Sequence, residues 1–367
     1  MAVTNDLATD RRVLRHAKTL CEAGHEVILL GRNELPTRHR RGWCFYLEFN
    51  LALRRKLRSV KPDIIWANDT DTLLGAWMAS HKLHCPLVLD CHELFPEVPE
   101  IQHKPFVKWV WRTLERRLMP QCDALLTVCN SIAEYYKERY GVSMSVVRNI
   151  SETFAPSDNF STPIPQSSLK TLLYQGWVNL GRGVDWAIDA LEWLTDCRLV
   201  IAGGGDLLDE MKSYASKKAW SYRILFTGRL APEVLAQITP QADVGLVMLE
   251  EMGLSYHYAL PNRIGDFVQA GVPIVVSDLP EMAAVVRRFK VGEVIDRPHG
   301  ADNAAKAKAL AQAVRRVLDC GKTSYDFAAA REDMDWNKEK QKLIECVSVL
   351  MRKCVSDDAA NTSALTQ

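Results

Sequence analysis

Short apolar runs alternate with amphipathic stretches along most of this 367-residue chain. In the first half, HEVILLG (25–31), PDIIWAND (62–69) and PLVLDCHE (86–93) have the length and composition of buried strands. Between such runs the spacing of apolar residues predicts helices, for example over 9–23, where Gly24 ends the pattern. Strands that alternate with helices indicate parallel sheets with helices on both faces.

The alternation is interrupted at 151–168, a stretch rich in Ser, Thr and Pro that has no period. It resumes at TLLYQG (171–176) and continues to a strong helical pattern over 301–320. We therefore predict an α/β protein with two Rossmann-like domains that face each other across a cleft. The predicted boundaries are a first domain at 1–155, a linker at 156–168, a second domain at 169–335, a C-terminal helix at 336–355 that packs back toward the first domain, and a frayed tail at 356–367.

Composition excludes several classes of function. Hydrophobic residues make up 47% and charged residues 25%, and 46 Lys and Arg balance 45 Asp and Glu, so nothing favours a nucleic-acid partner. The ten cysteines form no C-x-x-C pair, which argues against a zinc or redox site and favours free thiols in a reducing cytosol. No apolar run is long enough to span a membrane, and MAVTNDLATDRRV is too polar for a signal peptide. We expect a cytoplasmic protein without a metal.

Ligands of parallel α/β sheets bind beyond the carboxyl ends of the strands, so polar residues there are candidate site residues. In the first domain these are Asn68, Asp69, Asp71, Asp90, His92, Glu93 and Glu97. In the second domain they are Gly176, Arg182, Gly203, Gly204, Arg229, Asn262, Arg263 and Asp266.

The second set suits a nucleoside diphosphate. Glycine-rich turns and helix N-termini present N–H groups to phosphate, and arginines add positive charge without a metal. A carboxylate such as Asp266 can accept both hydroxyls of a ribose. The His, Asp and Glu side chains of the first domain suit a polyhydroxylated partner or proton transfer. Together these are the parts of a sugar transferase.

Each feature also has a purely structural interpretation. A triple glycine can serve only a tight turn. Arg182 and Arg229 can be surface arginines, and Asp71 can be the N-cap of a helix from Leu73. His92 can be a structural histidine whose hydrogen bonds are satisfied within the fold.

Several stretches also resemble a known family. They are TDRRVLRHAKTLCEAGHEVILL, KPDIIWANDTDTLLGAWMA, PLVLDCHELFPE, YQGWVNLGRGVDWAIDAL, CRLVIAGGGD and HYALPNRIGDFVQAGVPIVVSD. In this order they resemble the GT-B glycosyltransferases of family 4, also called group 1 glycosyltransferases. The resemblance implies a retaining hexosyl transfer from a UDP- or GDP-type sugar to a glycan or lipid-linked acceptor. It also implies that no metal is required and that the product belongs to a surface polysaccharide or glycolipid.

The resemblance assigns roles at matched positions. Arg182 and Arg263 are expected on the donor diphosphate, Asp266 on the ribose hydroxyls, and His92 on the transferred sugar. Gly176 falls in the glycine loop beside the donor. The predicted catalytic residues are His92, Arg182 and Arg263, and the predicted donor-binding residues are Gly176, Gly203, Gly204, Asn262 and Asp266.

Three departures from the family pattern stand out. Tyr258 occupies the position of the first of two motif glutamates, and Trp177 a position where the family often has an arginine. The chain also begins at MAVTNDLATD, where the family has the glycine-rich loop that follows its first strand. We therefore expect that first strand to be missing or truncated.

Two other functions stay open: a sugar-nucleotide epimerase of the same architecture, and a catalytically degenerate partner protein. The stretches 38–61 and 108–117 mix basic residues with aromatic ones, which suits an anionic membrane surface. A peripheral location on the inner face of the cell membrane is therefore a hypothesis, and its alternative is that these aromatic residues belong to the core.

Overall fold

The computed structural model of the chain describes residues 1–7, 10–151, 162–296 and 302–364, with side chains described as far as residue 353. The described chain divides into two compact units. Unit 1 comprises Met1–Asn149, Gly253–Ser255 and Asn337–Gln367, and unit 2 comprises Ile150–Met252 and Tyr256–Trp336. Residues 156–161 of the predicted linker lie outside the described residues.

The sheet of unit 1 is parallel throughout, as the alternation predicts. Its strands are β1 (Ile65–Asn68), β2 (Leu87–Cys91), β3 (Ala124–Thr127) and β4 (Ser145–Val146), in the order β1-β2-β3-β4. The helices that accompany them are α1 (Arg11–Glu22), α2 (Gly42–Val60), α3 (Thr70–Leu83), α4 (Pro105–Leu118) and α5 (Asn130–Tyr140). All residues of β1 and β2 are buried, which explains why both appear in the sequence as apolar runs.

The first residues of the chain take a central position beside β1. Ala2 forms parallel bridges with Leu30 on one side and Ala67 on the other. The Ala2 amide donates to the Trp66 carbonyl at 2.8 Å, and the Asn68 amide donates to the Ala2 carbonyl at 3.0 Å. The first residues of the given chain thus pair as a short strand between Leu30 and Ala67.

The neighbouring segment pairs less than expected. HEVILLG was expected to be a full strand, and only Leu30 of it pairs, as an isolated bridge. A groove of about 330 Å³ extends from Met1 between 25–28 and 61–65. Its apolar lining includes Leu20, Ile28, Leu57, Val60, Val347 and Met351.

Unit 2 has a six-stranded parallel sheet of order β10-β9-β8-β5-β6-β7. The strands are β5 (Lys170–Gln175), β6 (Cys197–Ala202), β7 (Ile224–Phe226), β8 (Val244–Val247), β9 (Ile274–Val276) and β10 (Gly292–Val294). The strand order reverses between β5 and β8, and such a reversal is the usual ligand position in a doubly wound sheet. The prediction of two Rossmann-like units with parallel sheets is confirmed.

The helices between the linker and the C-terminal helix are shorter on average than those of unit 1. They are α6 (Val184–Ala190), α7 (Leu208–Ser216), α8 (Pro232–Ile238), α9 (Leu254–His257), α10 (Arg263–Ala270), α11 (Pro280–Phe289), α12 (Asn303–Cys320) and α13 (Ala328–Asp333). Two apolar clusters form the core of unit 2: one includes the fully buried Trp186 and the other includes the fully buried Phe267.

The last helix, α14 (Trp336–Ala364), continues past the point at which we expected a frayed tail. Its Glu339 is buried and accepts hydrogen bonds from the backbone and the guanidinium of Arg148, at 2.9 Å and 2.8 Å. Lys342 of the same helix donates to the Val146 carbonyl at 3.0 Å. These contacts attach α14 to the end of β4 within unit 1. Among the described residues, no helix is long and apolar enough to cross a membrane.

Candidate functional site

Two glycine turns of unit 2 pack backbone against backbone at the carboxyl ends of β5 and β6. The Gly176 amide donates to the Ala202 carbonyl at 3.0 Å, and Gly176 has a φ of +135°. A Cβ atom added to Gly203 would lie only 1.8 Å from the Gly176 carbonyl oxygen. Gly204 differs, because its added Cβ would meet nothing closer than the Cβ of Arg229 at 3.8 Å. The close approach of the two turns therefore requires a glycine at position 203, whereas position 204 has room for a larger side chain.

The loop after Gly176 is tied to the second glycine turn by backbone hydrogen bonds. The Val178 amide donates to the Gly204 carbonyl at 2.7 Å, and the Leu207 amide donates to the Val178 carbonyl at 3.0 Å. The Asn179 side chain accepts from the Asp206 amide at 3.0 Å. These bonds fix the backbone on which Arg182 is carried.

Arg182 lies at the end of this loop, against an aromatic ring. Its guanidinium carbon is 4.9 Å from the centroid of the Tyr256 ring, and its Nε is buried without a hydrogen-bond partner in the described structure. No carboxylate among the described residues forms an ion pair with it. A cation placed over an aromatic face keeps its charge available to an anionic ligand.

Arg263 is buried beneath the Gly176 turn. Its Nη1 donates to the Gln175 carbonyl at 3.1 Å and its Nη2 to the Met248 carbonyl at 3.3 Å. Burial lowers the pKa of this guanidinium, although the nearby Tyr174 ring acts in the opposite direction. The observed contacts of Arg263 brace the ends of β5 and β8, and the phosphate contact we expected for it stays a prediction.

Asn262 and Asp266 lie at the start of α10, as the sequence suggested. Asn262 occupies the N-cap position, but its side chain makes no capping hydrogen bond. Asp266 accepts a hydrogen bond from the Gln175 side chain at 3.2 Å, and Gln175 in turn accepts from Thr239 at 3.0 Å. Their predicted contacts with the donor are not tested by this geometry.

Gln175 was not recognised from the sequence. It is buried at the end of β5, where its carbonyl binds Arg263 and its side chain binds Asp266. The signal was available, since Gln175 is the polar residue directly before Gly176. We expect it to set the spacing between the β5 turn and α10.

In unit 1, His92 lies after β2 between two carboxylates. Its Nδ1 is 3.3 Å from Asp69 and its Nε2 is 3.5 Å from Asp90. Burial lowers the pKa of His92, but the negative charges of Asp69 and Asp90 outweigh burial and raise it to about 9. His92 is therefore an imidazolium at neutral pH.

A second group in this cluster was missed by sequence reasoning. Arg12 of α1 is buried and holds both oxygens of Asp90, at 2.7 Å and 3.1 Å, while it also donates to the Val147 carbonyl. Arg12 and His92 together hold the pKa of Asp90 well below its usual range against the opposing effect of burial. The only sequence signal is a basic residue on the apolar face of an amphipathic helix.

Two expectations about the polar strand ends need correction. Asp71 is not the N-cap of α3, because that helix begins at Thr70 and Asp69 occupies the cap position. Asp71 is buried in the first turn and accepts a hydrogen bond from Thr4. Glu97 is paired with Lys108 and Arg112 of α4, which makes it a structural residue.

No cluster of three or more metal-ligating side chains is present among the described residues. The predicted site residues of unit 2 come together around the ends of β5, β6 and β8. His92 belongs to the separate cluster of unit 1. The arrangement in unit 2 combines glycine turns with arginine side chains at the reversal of strand order, and this combination is typical of proteins that bind nucleotides.

Comparisons with known proteins agree with this class. The model of Glycosyltransferase Family 4 matches residues 9–151, and that of Glycosyl transferases group 1 matches residues 170–320. The chain belongs to the glycosyltransferase family 4, group 1 proteins, which have the GT-B fold.

Individual relatives are distant. An uncharacterized glycosyltransferase of Methanocaldococcus jannaschii is 23% identical over 196 residues, which cover 51% of this chain and 46% of that protein. The matched segment thus spans about half the length of this curated relative.

The fold is shared with solved structures at lower identity. Sucrose-phosphate synthase from Thermosynechococcus elongatus has a TM-score of 0.72 at 16% identity, with 93% of each chain covered. Anabaena HepE, solved in complex with UDP and glucose, has a TM-score of 0.67 at 16% identity, with 95% of this chain and 91% of HepE covered.

Proposed function

We propose that this chain transfers a hexosyl group from a nucleoside-diphosphate sugar to a glycan or lipid-linked acceptor during synthesis of a surface polysaccharide or glycolipid. The observation that carries the proposal is the environment of Arg182. Its charge is faced by the Tyr256 ring and by no carboxylate of the described chain, next to two packed glycine turns. Arg182 is half-buried, and a partly desolvated cation without a counter-ion favours an anionic ligand.

The proposed donor is a UDP- or GDP-type sugar. In this proposal Arg182 neutralises the diphosphate, Asp266 accepts the ribose hydroxyls, and the backbone of the Gly176 and Gly203–Gly204 turns lines the phosphate side. Asn262 and Arg263 complete the wall at the start of α10. HepE supports this donor class, because a structure of that protein contains UDP and glucose.

In the proposed reaction, negative charge develops on the departing diphosphate. Arg182 supplies the positive charge that stabilises it, without a metal. His92, protonated at neutral pH, donates a hydrogen bond to the transferred sugar. We further propose transfer with retention, and the anomeric configuration of the first product, followed by proton NMR, decides that point.

A panel of UDP-, GDP- and ADP-sugars, incubated with purified chain and with or without EDTA, tests the proposed activity. We expect release of one nucleoside diphosphate, unchanged by EDTA and reduced at least tenfold in Arg182→Ala. Arg287→Ala is a matched control, because Arg287 is an exposed arginine of the same unit that pairs with Asp278. Release that requires a divalent cation, or that Arg182→Ala leaves intact, contradicts the proposed role of Arg182.

We also propose that the protein is cytoplasmic and associates peripherally with anionic membranes through α2 and α4. Phe106 and Trp109 of α4 are 73% and 61% exposed and stack with ring centroids 5.9 Å apart, and Trp43 of α2 is 77% exposed. Exposed aromatic rings beside basic residues bind the interface of an anionic bilayer. By contrast, Phe45 and Phe49 of α2 are buried, so part of the basic and aromatic stretch belongs to the core.

Liposome flotation tests this association. We expect binding to vesicles with anionic lipid, lost in the double variant Phe106→Ser, Trp109→Ser. Tyr222→Ser is the control, because Tyr222 is equally exposed, at 82%, and lies in unit 2. Absence of binding to anionic vesicles contradicts the proposal. The epimerase and the degenerate partner protein are not favoured by the family match.

A further inference from the structure

Asp69 has an unusual backbone conformation directly beside His92. Its φ is 59° and its ψ is 163°. The other three non-glycine residues of positive φ in the described chain, Lys61, His84 and Lys290, are left-handed C-caps of helices, where such values are common. Asp69 instead precedes a helix, in a strained region that glycine almost alone adopts.

The Asp69 side chain does not cap the helix that follows it. An aspartate in the N-cap position normally accepts hydrogen bonds from the first amides of its own helix. Asp69 makes no side-chain cap for α3. Its Oδ1 accepts from the His92 backbone amide at 2.7 Å, and its Oδ2 lies 3.3 Å from His92 Nδ1. Both carboxylate oxygens are therefore directed at one residue.

The second carboxylate, Asp90, lies 3.5 Å from His92 Nε2 but is bound more closely by other residues. Asp90 is bound through both oxygens by Arg12, and His16 Nδ1 lies 3.3 Å from it. Among the ion pairs that the structure describes, Asp69 takes part only in the one with His92. The Asp69 amide donates to the Asp90 carbonyl at 2.9 Å, which holds the strained residue in place.

We propose that Asp69 is a positioning residue that keeps the His92 imidazole doubly protonated and leaves its Nε2–H to bind the transferred sugar. His92 Nε2 is buried and makes no hydrogen bond within the described structure, and the Asp90 carboxylate, 3.5 Å away, is held by Arg12. Nδ1 faces Asp69, so an imidazolium has its second N–H left for a ligand. The inference rests on the proposed function for the identity of that ligand.

The charges around His92 balance only when Asp69 is included. The titratable and charged groups near this cluster are Asp10, Arg12 and His16 of the first segment, Asp69 and Asp71 at α3, Asp90, Cys91 and Glu93 at β2, and Cys346 of α14. Burial lowers the pKa of His16 to about 4 and raises that of Asp71 to about 8, so both are neutral at pH 7.

Arg12 and His92 then face the charges of Asp69 and Asp90. Without Asp69, one carboxylate remains for two buried cations, and His92 is the one that loses its proton. His92 would then titrate near or below the ordinary histidine pKa of about 6.5.

Asp69→Asn is the first test, because it keeps an acceptor for the His92 amide and removes the charge. The His92 ring is titrated by NMR in the full chain with labelled histidine, and His92→Gln assigns the signal. We expect wild-type His92 to titrate near pH 9 and the variant at least two pH units lower. Glu115→Gln is a matched control, because Glu115 is a buried carboxyl of α4 that is bound by Thr70, Tyr136 and Tyr140.

The pH profile of transfer separates positioning from a structural effect. In Asp69→Asn we expect a rate close to the wild type at pH 6 and a loss of at least tenfold at pH 8, mainly in kcat. Asp69→Gly relieves the backbone strain, so this variant should be as stable as the wild type or more stable, yet show the same alkaline loss. An unchanged His92 titration, or an equal loss at every pH, overturns the inference.

The two proposals fail in different ways. The titration needs no substrate, so it decides whether Asp69 controls His92 even if no transfer is detected. One outcome would overturn only the part of this inference that directs Nε2 at the sugar. In that outcome Asp69→Asn lowers the pH at which His92 titrates, while His92→Gln leaves the transfer rate unchanged at every pH. Absence of nucleotide binding and transfer in the wild type contradicts the proposed function alone.

Discussion

At the carboxyl ends of the strands, cationic side chains are paired with carboxylates in unit 1 and lack such partners in unit 2. In unit 1, His92 and Arg12 are faced by Asp69 and Asp90, so the buried charges neutralise one another. In unit 2, Arg182 and Arg263 face aromatic rings and backbone carbonyls, and neither has a carboxylate partner among the described residues. Charges withdrawn from water are costly unless they are paired, so we propose that unit 2 receives its counter-charge from a ligand.

The sheets of the two units differ as well. In unit 2 the central strand β5 pairs along its length with β6 and over Leu172–Tyr174 with β8. In unit 1 the corresponding central position is held only by the first residues, through the bridges of Ala2. The groove that begins at Met1 adjoins this short paired segment.

Gly203→Ala gives the largest expected effect. An added Cβ would lie 1.8 Å from the Gly176 carbonyl oxygen, so the two turns must separate. We expect a loss of about 3 kcal/mol in the free energy of unfolding and no measurable nucleotide binding. Gly204→Ala is the control, expected to stay within about 1 kcal/mol of the wild type. Denaturant unfolding measures both, and equal effects of the two substitutions would refute the packed-turn description.

Arg182→Ala should weaken binding of the nucleoside diphosphate without destabilising the chain. A hydrogen bond to a charged group contributes about 1.5–3 kcal/mol, so the affinity should fall about 10- to 150-fold. The dissociation constant from calorimetry is the measurement, with Arg287→Ala beside it. If Arg182→Ala binds the diphosphate as tightly as the wild type, the claim that a ligand supplies the counter-charge of Arg182 is wrong.

Asp71→Asn should change how stability depends on pH. Burial, then the charge of Asp69, raises the folded-state pKa of Asp71 to about 8, above the unfolded value of about 3.9. The unfolded chain therefore releases this proton first, and the stability from protonated Asp71 is full below pH 4 and declines as the pH rises toward 8.

The asparagine variant lacks this decline, so its stability should gain on the wild type from pH 4 to pH 8. Urea midpoints at several pH values measure the difference. Parallel curves for the two proteins would show that Asp71 is ionised in the folded state. His92 is present in both proteins, so its own titration cancels in the comparison.

A lengthened first strand gives the smallest expected effect. Four added residues of alternating β-branched type before Met1 should fill the groove and pair with 25–28 and 61–65. We expect a gain of about 1–2 kcal/mol from the added hydrogen bonds and apolar burial. A Gly-Ser extension of the same length is the control, and equal melting temperatures for the two extensions would contradict this use of the groove.

The fold was accessible from the sequence because β1, β2, β8 and β9 are buried along their whole length. Apolar runs such as 86–93 therefore stood out, and glycines such as Gly24 and Gly141 marked helix ends. The strand expected at 25–31 was wrong for a non-local reason, because its pairing depends on the first residues of the chain, of which Ala2 alone bridges to it.

The candidate site was accessible only in outline. Strand-end position identified Arg263 and Asp266, but could not show that the Arg263 donors reach the carbonyls of Gln175 and Met248. Those carbonyls belong to β5 and β8, which are far apart in the chain. We expected Asp71 as the N-cap of α3, but Asp69 occupies that position and accepts from the His92 amide. His92 follows a different strand, so the local sequence could not show this contact.

The central claim is that unit 2 binds a nucleoside diphosphate through its glycine turns and Arg182. The most direct measurement is the thermal stability of the full chain against UDP, GDP, ADP and their monophosphates. At 100 times its dissociation constant a bound ligand adds about 2.7 kcal/mol. We predict that one diphosphate stabilises the chain more than its monophosphate does, and that this difference is lost in Arg182→Ala. No stabilisation by any diphosphate, or the same stabilisation in Arg182→Ala, would contradict the account.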